Sequence, residues 1–222
     1  MSVSEPPKIQ ILVLIFPGFE PLDADGLLCM FGCLAHVDVI TIAADPVPVT
    51  SKTGNLTWLA SHGFAEAKEL QTSAKAEGKE SWLLVPGGIG TRDLVSKQDF
   101  LSSLQQLAMG CDRLLSVCTG AALLAAAGLL EGKRATTNKL AWAWATSHGG
   151  AGVTWIKRAR WVHDGHVTTA AGVSAGMDMA LDVVRIVFGE GTSKFCARRA
   201  EYEAHQEPDW DPFGENSDLE NS

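Results

Sequence analysis

The chain has 222 residues, 46% of them hydrophobic and 20% charged, which is the composition of one globular domain with a substantial core. Its formal net charge of −8 argues against nucleic acid or an anionic membrane surface as a partner. Residues 1–8 lack the pattern of a secretory signal, and the apolar run at 9–16 is too short to span a bilayer, so we expect a cytoplasmic protein.

Strands and helices alternate along the sequence. In the first half of the chain the pattern predicts a strand at 9–16, a helix at 23–34, a strand at 36–44, two short extended segments within 47–59, a surface loop with some helix at 65–80, and a strand at 82–85. In the second half it predicts a helix at 99–109, a strand at 114–117, helices at 119–127 and 140–147, a hairpin at 161–170, and helices at 174–188 and 192–204. This alternation is typical of an α/β domain in which helices sandwich a largely parallel sheet.

The ends of the chain differ in composition from this α/β pattern. We expect a disordered N-terminus at 1–8, one domain at 9–206, and an acidic C-terminal tail at 207–222 that becomes mobile beyond Phe213.

The five cysteines are odd in number and show no disulfide framework. Cys29 and Cys33 lie four residues apart on a predicted helix, where two thiols could share a metal ion. No CxxC motif or additional histidine completes such a site, so we expect both to be small buried side chains and predict no metal.

Cys118 stands where a predicted strand runs directly into a predicted helix. Its neighbours Ser116, Thr119 and Gly120 are small, as the sharp turn of a nucleophile elbow requires. The free amides and the dipole at the start of the helix favour a thiolate, which is the nucleophilic form of cysteine. We therefore predict a reactive Cys118; the alternative is an inert buried cysteine at a helix start.

Two further segments follow predicted strands and so lie at the same rim of the sheet. A turn of Gly87, Gly88 and Ile89 can direct N–H groups, together with that of Thr119, at a developing negative charge, although it could also be a plain turn. Asp23 can move a proton to or from a substrate beside the cysteine, or it can simply cap its helix.

These segments resemble the ThiJ/PfpI superfamily, whose members have a flavodoxin-like, class I glutamine amidotransferase-like fold, and within it most closely the isonitrile hydratase branch. The resemblance is carried by FPGFEPLDADG at 16–26, VPGGIG at 85–90, SVCTGAALLAAAGLLEGKRATTN at 116–138, VHDGHVTTAAGVSAGMDMAL at 162–181 and EYEAHQEPDWDPF at 201–213. It extends over most of the chain, and the long central motif is the most specific part.

The resemblance implies an activity and roles for three residues. Cys118 corresponds to the nucleophile of the branch, Asp23 to the acid beside it, and Thr119 to a hydrogen-bonding residue of the site. The implied reaction adds water to an isonitrile to give an N-substituted formamide. It implies no metal or organic cofactor, a small-molecule substrate as the partner, and a homodimer.

The chain also departs from this branch. Asn138-Lys139 replaces a usual His-Trp pair, which removes an imidazole and leaves the substrate open. Residues 68–80 look longer than the equivalent loop, and Leu27 stands where proline is common. In the tail, Trp210 is expected to fold over the rim of the site.

Two other functions remain open at this stage. One is another activity of the superfamily, on glyoxals or glycated groups, which Thr119 and the lack of a nearby histidine in the sequence disfavour. The other is a non-enzymatic sensor in which Cys118 is oxidised to a sulfenic or sulfinic acid.

Overall fold

The computed structural model describes residues 6–214 of the chain. The strands in this range are β1 (Ile9–Leu14), β2 (Val37–Ile42), β3 (Pro48–Thr50), β4 (Thr57–Leu59), β5 (Glu80–Val85), β6 (Arg113–Val117), β7 (Arg134–Ala135), β8 (Thr154–Trp155), β9 (Trp161–Asp164) and β10 (Val167–Ala170). The helices are α1 (Pro21–Phe31), α2 (Phe64–Ala76), α3 (Thr91–Leu94), α4 (Gln98–Ala108), α5 (Gly120–Ala126), α6 (Trp142–Thr146), α7 (Ala175–Phe188) and α8 (Glu190–Arg199).

The main sheet has six strands in the order β2-β1-β5-β6-β10-β9. Five of these strands run parallel, and only the edge strand β9 is antiparallel, through its hairpin with β10. Every residue of β1 is buried, because helices cover both faces of the sheet. The predicted α/β class with a parallel-rich sheet is therefore confirmed.

The helices form two groups around this sheet. One consists of α1, α7 and α8, which contact one another, and the other includes α2, α4 and α5. The chain leaves the carboxyl ends of β1, β5 and β6 at one rim, where open α/β sheets bind their ligands. Gly87 and Cys118 lie just beyond β5 and β6, and Asp23, in the first turn of α1, is joined to the Gly87 N–H by a hydrogen bond.

The prediction of a surface loop with some helix at 65–80 underestimates the helix, because α2 occupies most of that segment as a 13-residue helix. Alanine, lysine, glutamate, glutamine and leucine dominate it, and these are strong helix formers. The Glu66 carboxylate also accepts a hydrogen bond from the Gly63 N–H (2.8 Å), which caps the first turn. The charged composition therefore marks an exposed helix face.

The expectation that Cys29 and Cys33 are buried is also wrong. Cys29 is exposed on α1, and Cys33 is half-buried beyond the end of that helix. No group of three or more possible metal-ligating side chains occurs in the described part of the chain.

The C-terminal segment packs against the domain as far as the structure describes it. Asp211 is buried, and the Pro208 carbonyl accepts a hydrogen bond from the Arg160 N–H (2.7 Å). The predicted disorder at 1–8 and mobility beyond Phe213 fall mostly on 1–5 and 215–222, which lie outside the described residues. Among residues 6–214, no helix is both long enough and apolar enough to cross a membrane.

Candidate active site

Cys118 lies on a strained turn between β6 and α5. Its φ of +55° falls in the left-handed region, which is uncommon for residues other than glycine. The backbone around it is held in place: its N–H donates to the Ala170 carbonyl (3.2 Å), and its own carbonyl accepts from the Thr137 hydroxyl (2.8 Å). The side chain is almost enclosed, with 8% of the residue exposed. The predicted elbow geometry is present.

The loop after β5 lies directly against this elbow. A Cβ added to Gly87 would be 2.5 Å from the Thr119 nitrogen and 2.8 Å from the Cys118 Cβ, closer than real side-chain carbons approach. Gly88 has a φ of +122°, which L-residues with side chains rarely adopt. Glycine is therefore required at both positions to bring the loop to the cysteine.

Thr119 fastens this loop to the elbow. Its hydroxyl oxygen accepts hydrogen bonds from the Gly88 N–H (2.9 Å) and from the Thr91 hydroxyl (3.1 Å). The structure thus brings the predicted Thr119 into the site, where it joins three segments of the chain.

The amides predicted to hold a developing negative charge are only partly available. The Gly87 N–H donates to Asp23 Oδ2 (2.8 Å), and the Gly88 N–H donates to Thr119. Two side-chain acceptors therefore occupy the donors that the sequence assigned to a substrate. The Ile89 N–H has no acceptor among the residues that the structure describes, and Ile89 itself is exposed.

Asp23 is fully buried in the first turn of α1. One carboxylate oxygen accepts from the Gly87 N–H, while the other, Oδ1, has no hydrogen-bond partner within the described residues. Burial raises the pKa of Asp23 to about 7, and the charge of Glu20 acts in the same direction. The Gly87 N–H and an interaction with the Cys118 thiol oppose this rise.

Burial also raises the pKa of the Cys118 thiol, and the charges of Asp23 and Glu20 raise it further. The N–H and the hydroxyl of Thr119 lower this pKa, as expected at the start of a helix, but their effect is smaller. The predicted effect of the helix start on the thiol is therefore present, but burial and the charge of Asp23 outweigh it and favour the protonated thiol.

Glu20 is a component of the site that the sequence analysis did not single out. Its carboxylate accepts from the Thr53 hydroxyl (2.6 Å) and, more weakly, from the Leu22 N–H (3.4 Å) at the start of α1. Its charge acts on both Asp23 and Cys118. The sequence did contain a signal for Glu20, because it is a second acidic residue three positions before Asp23.

A cavity of about 310 Å³ opens between the start of α1, the segment after β7, the start of α7 and the C-terminal segment. Apolar side chains of Leu22, Leu140, Val173 and Phe213 line it together with the polar Asn138 and Ser174 and the charged Lys139, Arg160 and Asp211. Leu22 precedes Asp23, and Asn138 follows the threonine that hydrogen-bonds to the Cys118 carbonyl. The cavity is thus lined by chain neighbours of the site residues, whereas Cys118 and Asp23 do not themselves line it.

Lys139 and Asp211 form an ion pair of 3.4 Å at this cavity, and both side chains are almost wholly buried. The Lys139 ammonium also donates to the Thr136 hydroxyl (2.9 Å) and to the Ala159 carbonyl (2.9 Å). Burial lowers the pKa of Lys139 to about 8 despite the opposing effect of Asp211. This lysine, which replaces the usual tryptophan of the branch, thus holds the C-terminal segment in place.

The C-terminal segment also corrects the expectation that Trp210 folds over the rim of the site. Asp211 and Phe213 line the cavity, whereas the Trp210 ring packs on His205 with centroids 4.9 Å apart and remains 44% exposed. The tail folds back beside the site, but a different aromatic residue contributes to its wall.

Known proteins share both the sequence and the fold of this chain. The sequence profile of the DJ-1/PfpI family matches residues 9–186. The chain belongs to the DJ-1/PfpI family. Isonitrile hydratase from Pseudomonas putida is 34% identical to it over 194 residues, which cover 87% of this chain and 78% of that protein. The resemblance inferred from the motifs is thereby confirmed at the level of the family.

Solved structures of the DJ-1/PfpI family have the same fold. A ThiJ/PfpI family protein from Pseudomonas syringae is 27% identical with a TM-score of 0.74, over 91% of this chain and 79% of that one. A DJ-1 superfamily protein from Salmonella typhimurium, crystallised as a cysteine-to-alanine mutant, is 22% identical with a TM-score of 0.71, over 88% and 99% of the two chains.

Proposed function

We propose that this DJ-1/PfpI family member is a hydratase that uses Cys118 to add water to an isonitrile, R–N≡C, and releases the formamide R–NH–CHO. The observation that carries the proposal is the pairing of the buried Cys118 thiol with the buried Asp23 carboxyl, whose pKa is about 7. In the described part of the chain, no histidine hydrogen-bonds to either group. The similarity to a known isonitrile hydratase supports the same reaction.

In the first step, sulfur and hydrogen add to the same carbon of the isonitrile. The Asp23 carboxylate takes the thiol proton, the sulfur of Cys118 bonds to the terminal carbon, and the proton passes from Asp23 to that carbon. The product is a thioimidate, R–N=CH–S–Cys118. No oxidant, metal or organic cofactor is needed, because the thiol supplies both the hydrogen and the nucleophile.

In the second step, water adds to the thioimidate carbon and its proton is transferred to nitrogen through Asp23. The C–S bond then breaks while the remaining hydroxyl proton passes through Asp23 to the departing sulfur, which releases the formamide and returns the thiol to Cys118. The net change is one isonitrile plus one water to one formamide. A carboxyl with a pKa near 7 suits this cycle, since it has to accept and donate a proton in turn.

Thr119 and Ile89 have supporting roles in this proposal. The Thr119 N–H and hydroxyl lower the pKa of Cys118 and so stabilise the thiolate that forms during attack. The Ile89 N–H, which has no acceptor among the described residues, is our candidate donor to a charge that develops on the substrate. We assign Gly87 and Gly88 to positioning Asp23 and Thr119 in the resting site.

The cavity of about 310 Å³ lined by Leu22 and Asn138 is our candidate for the site of the R group. Its apolar side chains suit a hydrocarbon group, its charged Lys139 and Asp211 are paired with each other, and its volume exceeds the space that a cyclohexyl ring needs. We therefore propose compact alkyl or cycloalkyl isonitriles as the substrate class.

The alternatives are less well supported by this site. Chemistry of the glyoxalase or deglycase type needs the same cysteine and neighbouring base, and what favours the hydratase reaction is the similarity to an isonitrile hydratase. A sensor role for Cys118 requires an exposed thiolate, whereas burial raises the pKa of this thiol.

The test is turnover of cyclohexyl isocyanide, followed by chromatography of N-cyclohexylformamide, with Cys118→Ala and Asp23→Asn beside the wild type. Formamide production that both substitutions reduce by about 10³-fold or more, in variants with unchanged circular dichroism, supports the proposal. An inactive wild type, tested over a panel of alkyl isonitriles, would contradict it.

We further propose that the enzyme acts as a cytoplasmic homodimer. Sedimentation equilibrium distinguishes a dimer from the 23.6 kDa monomer directly.

A further inference from the structure

Cys33 and Cys196 are far apart in the sequence, but their sulfurs lie 2.8 Å apart. Cys33 lies just beyond the end of α1, and Cys196 lies on α8 on the same side of the sheet. Both are free thiols. They are the one pair of cysteines with sulfurs in hydrogen-bond contact in the described chain, which contains all five.

Hydrogen bonding orients the two thiols toward each other. The Cys33 thiol donates its single hydrogen to the Met30 carbonyl (3.1 Å). Either thiol can donate across the contact between the two sulfurs, and Cys196 is the donor when the Cys33 hydrogen is on the Met30 carbonyl. This arrangement holds the Cys196 sulfur beside its partner.

The two cysteines differ in their access to solvent. Cys196 is 1% exposed, and burial and the neighbouring thiol raise its pKa to about 12. Cys33 is half-buried at the end of a helix. A small oxidant in solution therefore reaches Cys33 first and finds Cys196 already in contact with it.

We propose that Cys33 and Cys196 are a modification site at which a hydroperoxide forms an intramolecular disulfide. The peroxide first transfers one oxygen to Cys33, giving a sulfenic acid and water from hydrogen peroxide. The Cys196 sulfur then bonds to the Cys33 sulfur and expels a second water. Two thiols lose two electrons and two protons in total, and the peroxide gains both.

Little movement is needed to make this bond. A disulfide has an S–S distance of about 2.0 Å, so the sulfurs approach each other by about 0.8 Å. Both cysteines lie at or near helical segments whose packing already holds them in contact. The bond would join the end of α1, the helix that carries Asp23, to α8, and it would leave Cys118 free.

The experiment oxidises the folded full-length protein with hydrogen peroxide, raised until the exposed Cys29 is fully modified. Catalase then removes the peroxide, N-ethylmaleimide blocks the remaining thiols, and peptides are mapped without reduction. We expect a linked pair of peptides containing Cys33 and Cys196, lighter than their sum by about 2 Da and separated by dithiothreitol. Oxidation in denaturant should abolish this preference for one pair.

Matched variants distinguish the site from general oxidation. Cys29→Ser changes the neighbouring exposed cysteine and should still yield the Cys33–Cys196 link. Cys196→Ser should yield no link and leave a sulfenic acid on Cys33 that a 1,3-dione probe captures. If Cys29 is fully modified in the wild type and the linked peptides are absent, the inference is overturned. Because the readout is the peptide map, it does not depend on the activity of Cys118.

Discussion

The Asp23 carboxylate raises the pKa of the Cys118 thiol, whereas that thiol lowers the pKa of Asp23. The first proton therefore leaves Asp23 at a pKa of about 7, and the thiol keeps its proton well above neutral pH. Between these two ionisations the pair holds one proton. This is the state in which a carboxylate can take up the thiol proton and pass it to a substrate carbon.

The first prediction concerns the pH dependence of hydration. Below the pKa of Asp23 the carboxyl is protonated and cannot accept the thiol proton, so kcat/KM should rise about tenfold per pH unit up to about pH 7. Above that it should stay level through the range in which the thiol remains protonated. Initial rates across pH 5–9 measure this; a rate that falls between pH 7 and 9 would contradict the assigned state.

The second prediction concerns the stability cost of the buried acid. The folded-state pKa of Asp23 is raised above its ordinary value of 3.8, so ionisation disfavours folding, and this cost grows between about pH 4 and 7. Asp23→Asn should therefore stabilise the protein by about 2–4 kcal/mol at pH 8 and by little at pH 4. Urea unfolding at both pH values measures the difference.

A control substitution on the same helix tests whether the stabilisation expected from Asp23→Asn is caused by the burial of Asp23. Asp25 is exposed on α1, and Asp25→Asn should change the free energy of unfolding by less than about 1 kcal/mol at either pH. Equal effects of the two substitutions would show that the change reflects the helix rather than the buried site.

The third prediction concerns the contact between the loop and the elbow. Gly87→Ala places a methyl group against the Thr119 nitrogen and the Cys118 Cβ, so it should destabilise the fold by about 1–3 kcal/mol and displace the elbow. Gly191→Ala is the matched control, because nothing lies within 4 Å of the added carbon inside α8. It should leave activity intact and stabilise the helix by about 0.5–1 kcal/mol. Thermal unfolding and formamide assays compare the two.

The fourth prediction concerns the buried ion pair. Lys139→Met leaves the Asp211 charge buried and unpaired, so it should cost about 3–5 kcal/mol of stability, and adding Asp211→Asn should recover much of this. The exposed pair of Lys194 and Glu190 is the control, and Lys194→Met should cost under about 0.5 kcal/mol. Additive losses at Lys139 and Asp211 in a double-mutant cycle would show that the pair is not coupled.

Sequence predicted the centre of the site because that centre depends on local signals. A strand that runs into a helix through small residues defines the elbow, and a pair of glycines after a strand defines the loop that packs on it. Asp23 was found for the same reason, since its position at the start of the helix that follows β1 places it at the rim shared with Cys118.

The contacts that tune the site were not predictable in this way. The resting thiol at Cys118 follows from burial and from two nearby carboxylates, which outweigh the helix start that the sequence displays. The pairing of Lys139 with Asp211, and of Cys33 with Cys196, joins segments that only the complete fold brings together. The composition of the segment that forms α2 was misleading, because a charged and alanine-rich stretch resembles a loop but forms a helix.

Acid quenching during turnover of cyclohexyl isocyanide, followed by peptide mapping, tests the central role of Cys118 most directly. With ¹³C at the terminal carbon, we predict one labelled adduct on the Cys118 peptide of the wild type, formed and lost at rates that match the formation of labelled formamide. The same label should be absent from Cys118→Ala, which should also make no formamide. Unchanged formamide production by Cys118→Ala, with no label on the wild-type peptide, would contradict covalent catalysis at this residue.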